Sequence, residues 1–286
     1  MNRKITAMYF SPTGTTRRIA TAITESLARC LGDAGRTEAL DFTLPAARTG
    51  STSFSSDDTV VFGVPVYAGR VPNILLNFLR TVSGGGASAV AVTVYGNRNY
   101  DDALVELSDI LEEQGFRVIA AGAFIGEHAF SSVLAAGRPD ADDLSIADSF
   151  AGRIAALIAA DMADQPDPGS PPQAGGASAA VKGCRPYRPY YVPKDAGGEP
   201  VRFTKIKPLT AESCTRCGLC ANICPLGSIE HADVSVVSGI CIKCCACIKK
   251  CPAGAKYFDD PVFILHKKEL EIQFADRREP ELFFGA

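Results

Sequence analysis

Two copies of one cysteine spacing fall between residues 214 and 251 and constrain this chain more than any other feature. Cys214, Cys217, Cys220 and Cys224 run C-x2-C-x2-C-x3-C with Pro225 behind them, and Cys241, Cys244, Cys247 and Cys251 repeat the spacing before Pro252. Nine of the eleven cysteines lie in this short segment. In a reducing cell interior such crowding means metal rather than disulfides. Zinc takes four thiolates in tetrahedral sites, usually from two C-x2-C pairs with a longer insert, and triplets with a distant fourth cysteine fit it poorly. Three thiolates two residues apart wrap one corner of an iron–sulfur cube on a tight turn. The remaining iron then needs a ligand from elsewhere, which the second copy of the motif can supply.

Over about residues 207–258 this pattern resembles the two-cluster bacterial ferredoxins. The resemblance implies two [4Fe–4S] clusters whose fourth ligands cross over. Cys214, Cys217, Cys220 and Cys251 would hold one cluster; Cys241, Cys244, Cys247 and Cys224 would hold the other. A unit this small is marginal without a staple, so the clusters would be structural as well as redox-active. Cys245 is out of register and reads as a small buried neighbour, and Cys30 as a buried structural thiol on a helix. Cys184 lies in a linker.

The rest of the 286 residues is long enough for one full-sized core. From the start, apolar runs alternate with helical periodicity: strands near 5–10, 38–42, 59–66, 88–95 and 116–126, and helices near 15–31, 72–80, 101–114 and 141–162. The strands are nearly continuous in Val, Ile, Ala and Phe, as expected where helices cover both faces of a parallel sheet. Periodicity vanishes in QPDPGSPPQAGGASAA (165–180), which reads as a linker. CRPYRPYYVP (184–193) sets tyrosines among prolines, either as an extended strap lying on protein or as a stiff spacer. The expected division is 1–163, a linker and strap at 164–200, a cluster domain at 201–260, and a tail at 261–286 that packs back on one of the domains.

Behind the first strand, Ser11-Pro-Thr13-Gly14-Thr15-Thr16 leads into a helix. A helix N-terminus with hydroxyl donors and a permissive glycine suits a phosphate, although ordinary N-caps are also Ser and Thr. Two further loops follow the third and fourth strands: Pro65-Val66-Tyr67-Ala68-Gly69-Arg70 and Tyr95-Gly96-Asn97-Arg98-Asn99-Tyr100. Together, over about residues 3–160, these resemble flavodoxins, with the phosphate loop S/T-x-T-G-x-T. The resemblance implies a doubly wound, five-stranded parallel α/β sheet of order 2-1-3-4-5, binding FMN at its switch point. It places Tyr67 on one flavin face and Tyr100 on the other; Arg98 departs from the pattern by adding positive charge near the ring. His128, in the loop after the fifth strand, either donates a proton as the flavin is reduced or is an ordinary hydrogen-bonded loop histidine. His231 and His266 have no constellation around them. Gly84-Gly85-Gly86 precedes a strand and is a turn rather than a dinucleotide fingerprint.

In combination the two regions resemble the flavodoxin–ferredoxin fusion proteins of anaerobic bacteria and archaea. The implied function is electron transfer between two [4Fe–4S] clusters and FMN, converting one-electron into two-electron chemistry for a redox protein partner such as an external ferredoxin or reductase. Two other readings remain: an FMN-dependent reductase of an organic substrate fed by the clusters, and a non-enzymatic redox or oxygen sensor. Residues 1–165 carry 13 basic against 19 acidic side chains, which argues against nucleic acid as a partner of the large domain. No apolar stretch reaches spanning length and the first residues do not form a signal peptide, so the expected compartment is the cytoplasm.

Overall fold

The computed structural model describes residues 4–32, 37–163, 178–195, 197–201 and 203–285. Of the linker and strap expected at 164–200, only residues 178–195 and 197–200 are among them. Along β1 (Ile5–Tyr9), Ile5, Ala7 and Tyr9 pack into one hydrophobic cluster and Met8 into another, the two-residue period that sends successive side chains to opposite faces. β2 (Thr37–Asp41) is a half-exposed edge, whereas β3 (Thr59–Pro65), β4 (Ser88–Tyr95) and β5 (Arg117–Ile125) are almost wholly buried. These five strands are parallel in the order β2-β1-β3-β4-β5.

Helices cover both faces. α1 (Thr15–Cys30) and α3 (Ala141–Ala163) pack Ile19, Ile23, Leu27, Phe150 and Ile154 against Phe124 of β5. α2 (Ala103–Glu113) buries Leu104, Leu107 and Ile110 on the other face beside Phe62 and Phe78. The helix expected near 72–80 is shorter: a 3-10 turn, Asn73–Leu75, runs into one α-turn, Leu76–Leu79, behind Pro72. No helix among the described residues is long and apolar enough to cross a membrane.

Residues 184–193 make side-chain and backbone contacts with the large domain. Tyr187 donates to Asp109 Oδ2 (2.6 Å), Tyr190 to the Val71 carbonyl (2.8 Å), and Arg70 lies 4.7 and 5.0 Å over their rings. Arg188 donates to the fully buried Asp102 carboxylate through both its backbone N–H (2.7 Å) and its guanidinium (2.9 Å). That guanidinium holds the Asp102 carboxyl well below the usual carboxylate range.

The cysteine segment forms a small unit of two helical turns, Leu219–Asn222 and Ala246–Lys249, closed by an antiparallel pair, β6 (Leu209–Thr210) with β7 (Lys256–Tyr257). Its duplication is visible in the backbone: Arg216 and Lys243 share φ near +55°, and Gly218 and Cys245 are both left-handed N-caps. α4 (Pro261–Gln273) follows, capped by Asp260, whose carboxylate accepts from the N–H groups of Val262 and Phe263.

The chain then returns to the large sheet. β8 (Glu281–Phe284) adds antiparallel to the outer edge of β5, so the sheet has six strands where the sequence predicts five. The added strand covers an edge that would otherwise present unpaired backbone groups. Phe284 meets Phe150 edge-on at 5.3 Å beneath Arg153, while Phe283 packs on the opposite face.

Candidate functional site

Four loops leave the carboxyl ends of β1, β3, β4 and β5 and converge on one cavity of about 530 Å³, within the range of small-molecule and cofactor pockets. In the first, Ser11 accepts from the Arg17 N–H (2.9 Å) and its own N–H donates to Thr43 Oγ1 (2.8 Å), which fixes the turn into α1. Gly14 caps the helix at φ 104°, a conformation that costs a side chain and suits glycine. Thr13, Thr15 and Thr16 line the cavity; Ser11 and Gly14 shape the turn behind them.

Pro65, Val66, Tyr67, Ala68 and Gly69 form the second wall. Tyr67 and Arg70 exchange backbone hydrogen bonds across the turn (3.0 and 3.1 Å), and a Cβ on Gly69 would meet Asp101 Oδ2 at 2.3 Å. Burial pushes the Tyr67 phenol well up, helped by the neighbouring thiols of Cys244, Cys245 and Cys241. Tyr67 and the cysteine loop are thus neighbours that line the same cavity.

From the third loop, Tyr95, Gly96, Arg98 and Asn99 reach the cavity. Arg98 is ion-paired with Asp101 and lies 4.7 Å over the ring of Tyr191, so its charge is already partnered. Two expected site residues are placed otherwise. Tyr100 does not line the cavity: it is buried in the core against Tyr95 (5.6 Å), with the Glu281 carboxylate bonded to its hydroxyl. Asn97 turns away to donate to the carbonyls of Phe274 (2.6 Å) and Asp276 (2.9 Å), anchoring the chain after α4. In both cases the loop turns within two residues of the strand, and the side chain is claimed by the C-terminal segment.

His128, from the fourth loop, faces the cavity. Its Nδ1 accepts from the Phe130 N–H (3.1 Å), which leaves the ring proton on Nε2. Burial, with lesser contributions from His266 and Lys249, lowers its pKa to about 4. At neutral pH it is a neutral donor, not an imidazolium.

The remaining walls come from outside the large sheet. Tyr191 donates its N–H to the Ala68 carbonyl (2.9 Å) and lines the cavity with Phe203. His266 and Leu270 of α4 complete that side, so His266 does belong to a constellation. The sequence flagged the strap and the tail as apolar and aromatic, but only the chain path shows where they dock. Most telling, Ile240, Cys241, Ile242, Lys243 and Cys244 also line this cavity. The unit is held there by Lys249, which donates to Glu127 Oε1 (2.5 Å) and the Ser131 carbonyl, and by Arg48, which donates to the Pro225 carbonyl (2.6 Å).

Within the cysteine unit, one cavity is lined by Cys214, Cys217, Cys220, Cys247 and Cys251. A second is lined by Cys224, Cys241, Cys244, Cys245 and Cys247. The fourth cysteine of each half accepts an N–H four residues on: Ser228 to Cys224 Sγ (3.4 Å) and Ala255 to Cys251 Sγ (3.3 Å). Burial pushes the Cys244 and Cys247 thiols up to about 12, so as thiolates they call for cationic partners, and iron supplies them. Soft thiolate donors, two sets and backbone N–H groups on sulfur all fit iron–sulfur cubes.

Residues 7–100 match the family model described as a flavodoxin domain, and residues 207–260 the one described as a 4Fe-4S dicluster domain. No curated protein sequence matches. Similar solved structures include a flavodoxin from the domain Archaea, at 15% identity over 55% of this chain and 99% of that one, TM-score 0.37. A Streptococcus pneumonia TIGR4 flavodoxin matches at 19% over 53% and 97%, TM-score 0.36, and Flavodoxin 2 from Bacillus cereus at 18% over 53% and 96%, TM-score 0.37.

Proposed function

We propose that this chain, a flavodoxin domain joined to a 4Fe-4S dicluster domain and so a flavin and iron–sulfur electron-transfer protein, moves electrons internally between its two clusters and its FMN. The clusters exchange single electrons and the flavin holds one or two, so together they interconvert one- and two-electron chemistry. The observation that carries the reading is the shared cavity: Cys241 and Cys244 line the same space as Thr13, Thr15 and Tyr67.

In this reading Cys241, Cys244, Cys247 and Cys224 hold the inner cluster, and Cys214, Cys217, Cys220 and Cys251 the outer one. Cys217 is exposed and Cys244 buried, which favours the outer set as the face that meets a redox protein partner. Thr13, Thr15 and Thr16 with the α1 N-terminus would hold the FMN phosphate. Tyr67 would wall the ring on the cluster side, and Arg48 and Lys249 would keep the cluster unit seated.

Anaerobically purified protein is expected to contain about eight irons and one FMN per chain. Mixed with a small one-electron donor, its clusters should bleach before or with the flavin. Cys217→Ser, scored by iron content for retention of the inner cluster, should slow flavin reduction at least tenfold. Flavin reduction at the native rate in that variant would remove the proposed route.

A further inference from the structure

The cavity has a region that the flavodoxin loops do not build. Its wall is Tyr191 of the strap, Phe203, and His266 and Leu270 of α4, met by Phe130 and His128 from the large domain. The rings pack on one another. His266 stacks with Tyr191 (6.0 Å, 26°) and stands edge-on to Phe203 (5.5 Å). Phe130 lies edge-on to both histidines, 5.2 Å from His128 and 6.5 Å from His266.

Two polar rings, His266 and His128, interrupt this aromatic box. Nothing among the described residues hydrogen-bonds the His266 ring, although it is only 6% exposed; the nearest carboxylate, Glu269, is 4.0 Å from Nδ1. His128 spends Nδ1 on the Phe130 N–H and keeps Nε2–H for the cavity. Among the described residues, no ring nitrogen of either histidine is both sealed from solvent and unpartnered, so their free nitrogens open onto the cavity they line and are available to a ligand. An aromatic-walled chamber with a small number of convergent donors selects a flat molecule carrying acceptors.

We infer that this box is a second ligand site beside the flavin, taking a planar conjugated molecule with carbonyl acceptors, walled by Tyr191, Phe203 and Phe130 and hydrogen-bonded by His266 and His128. The inference rests on the reading that FMN occupies the part of the cavity lined by the flavodoxin loops. It makes the strap and α4 more than a cover: they choose what approaches the flavin.

The test uses oxidised, FMN-loaded full-length protein titrated anaerobically with 1,4-naphthoquinone, read as quenching and as a difference spectrum in the flavin band. Saturable, one-to-one binding is expected. His266→Phe, which keeps the aromatic packing but removes both ring nitrogens, should weaken it about tenfold, and Phe203→Ala should weaken it comparably. FMN content and cluster-to-flavin reduction should stay at native levels in both. Absence of a saturable response from protein that holds FMN overturns the second site alone. Loss of FMN rather than of the probe in His266→Phe assigns His266 to the flavin and also overturns it. A protein that holds no FMN would sink the reading of the cavity itself.

Discussion

Tyr67 and Tyr100 begin as a matched pair, one aromatic for each flavin face, and burial separates them. Tyr67 lines the cavity, while Tyr100 is packed under β4 and tied to the C-terminal strand through Glu281. Tyr67→Ala should weaken FMN binding about tenfold, the scale of a lost aromatic stack. Tyr100→Phe should leave FMN affinity alone and cost about 1 kcal/mol of stability for the lost hydrogen bond; fluorescence titration and denaturant unfolding separate the two. His128 supplies a pH signature. Its pKa falls from an ordinary 6.5 to about 4 in the fold, chiefly through burial, with His266, Lys249 and Arg98 acting the same way and Glu271 against. The unfolded chain therefore takes up a proton first as pH drops below 6.5, and stability is lost progressively down to about pH 4. His128→Gln should flatten the Tm–pH curve over that window, with a residual slope from His266, whose pKa is lowered by burial too. An unchanged curve would mean that His128 is not the titrating group.

Among the elements, β8 and α4 do the most that the sequence left without chemistry. Phe284 ties β8 to α3 through Phe150 and Arg153. Phe284→Ala should cost about 2 kcal/mol, since the ring is only partly buried and loses an aromatic contact besides its area, read as a shift in denaturation midpoint. The helical turn Ala246–Lys249 is the other joint. Lys249→Met removes the charge-assisted contacts to Glu127 and Ser131 while keeping the aliphatic stem. The expected result is slower flavin reduction through the clusters at unchanged iron and FMN content. Equal rates in the variant would show that Lys249 does not seat the unit.

For the whole molecule, the cluster unit and the FMN cavity are not independent. The unit's own buried core is slight, formed by Cys220, Ala221, Ile229 and Val234, so metal holds much of it together. Because its Ile240–Cys244 loop walls the cavity, stripping the iron anaerobically with a chelator should weaken FMN binding severalfold, as seen in a flavin fluorescence titration. Affinity that survives iron removal would mean that the flavodoxin loops alone make the site.

Chemistry set by short-range order was legible from residues alone. Thiolate spacing points to a cube because consecutive ligands must wrap one corner, whereas a strand followed by Thr-Gly-Thr-Thr suits an anion and an ordinary helix N-cap alike, and it was the resemblance to flavodoxins that implied a phosphate loop. Continuous apolar runs that need cover on both faces marked a parallel sheet between helices; its strand order came from the resemblance to flavodoxins. Tertiary structure alone decided that Tyr100 and Asn97 turn inward, that a sixth strand closes the sheet, and that His266 reaches a cavity whose other walls begin as far back as Pro12. Those outcomes depend on which distant segment buries its apolar surface against which edge, and local spacing carries no record of that choice.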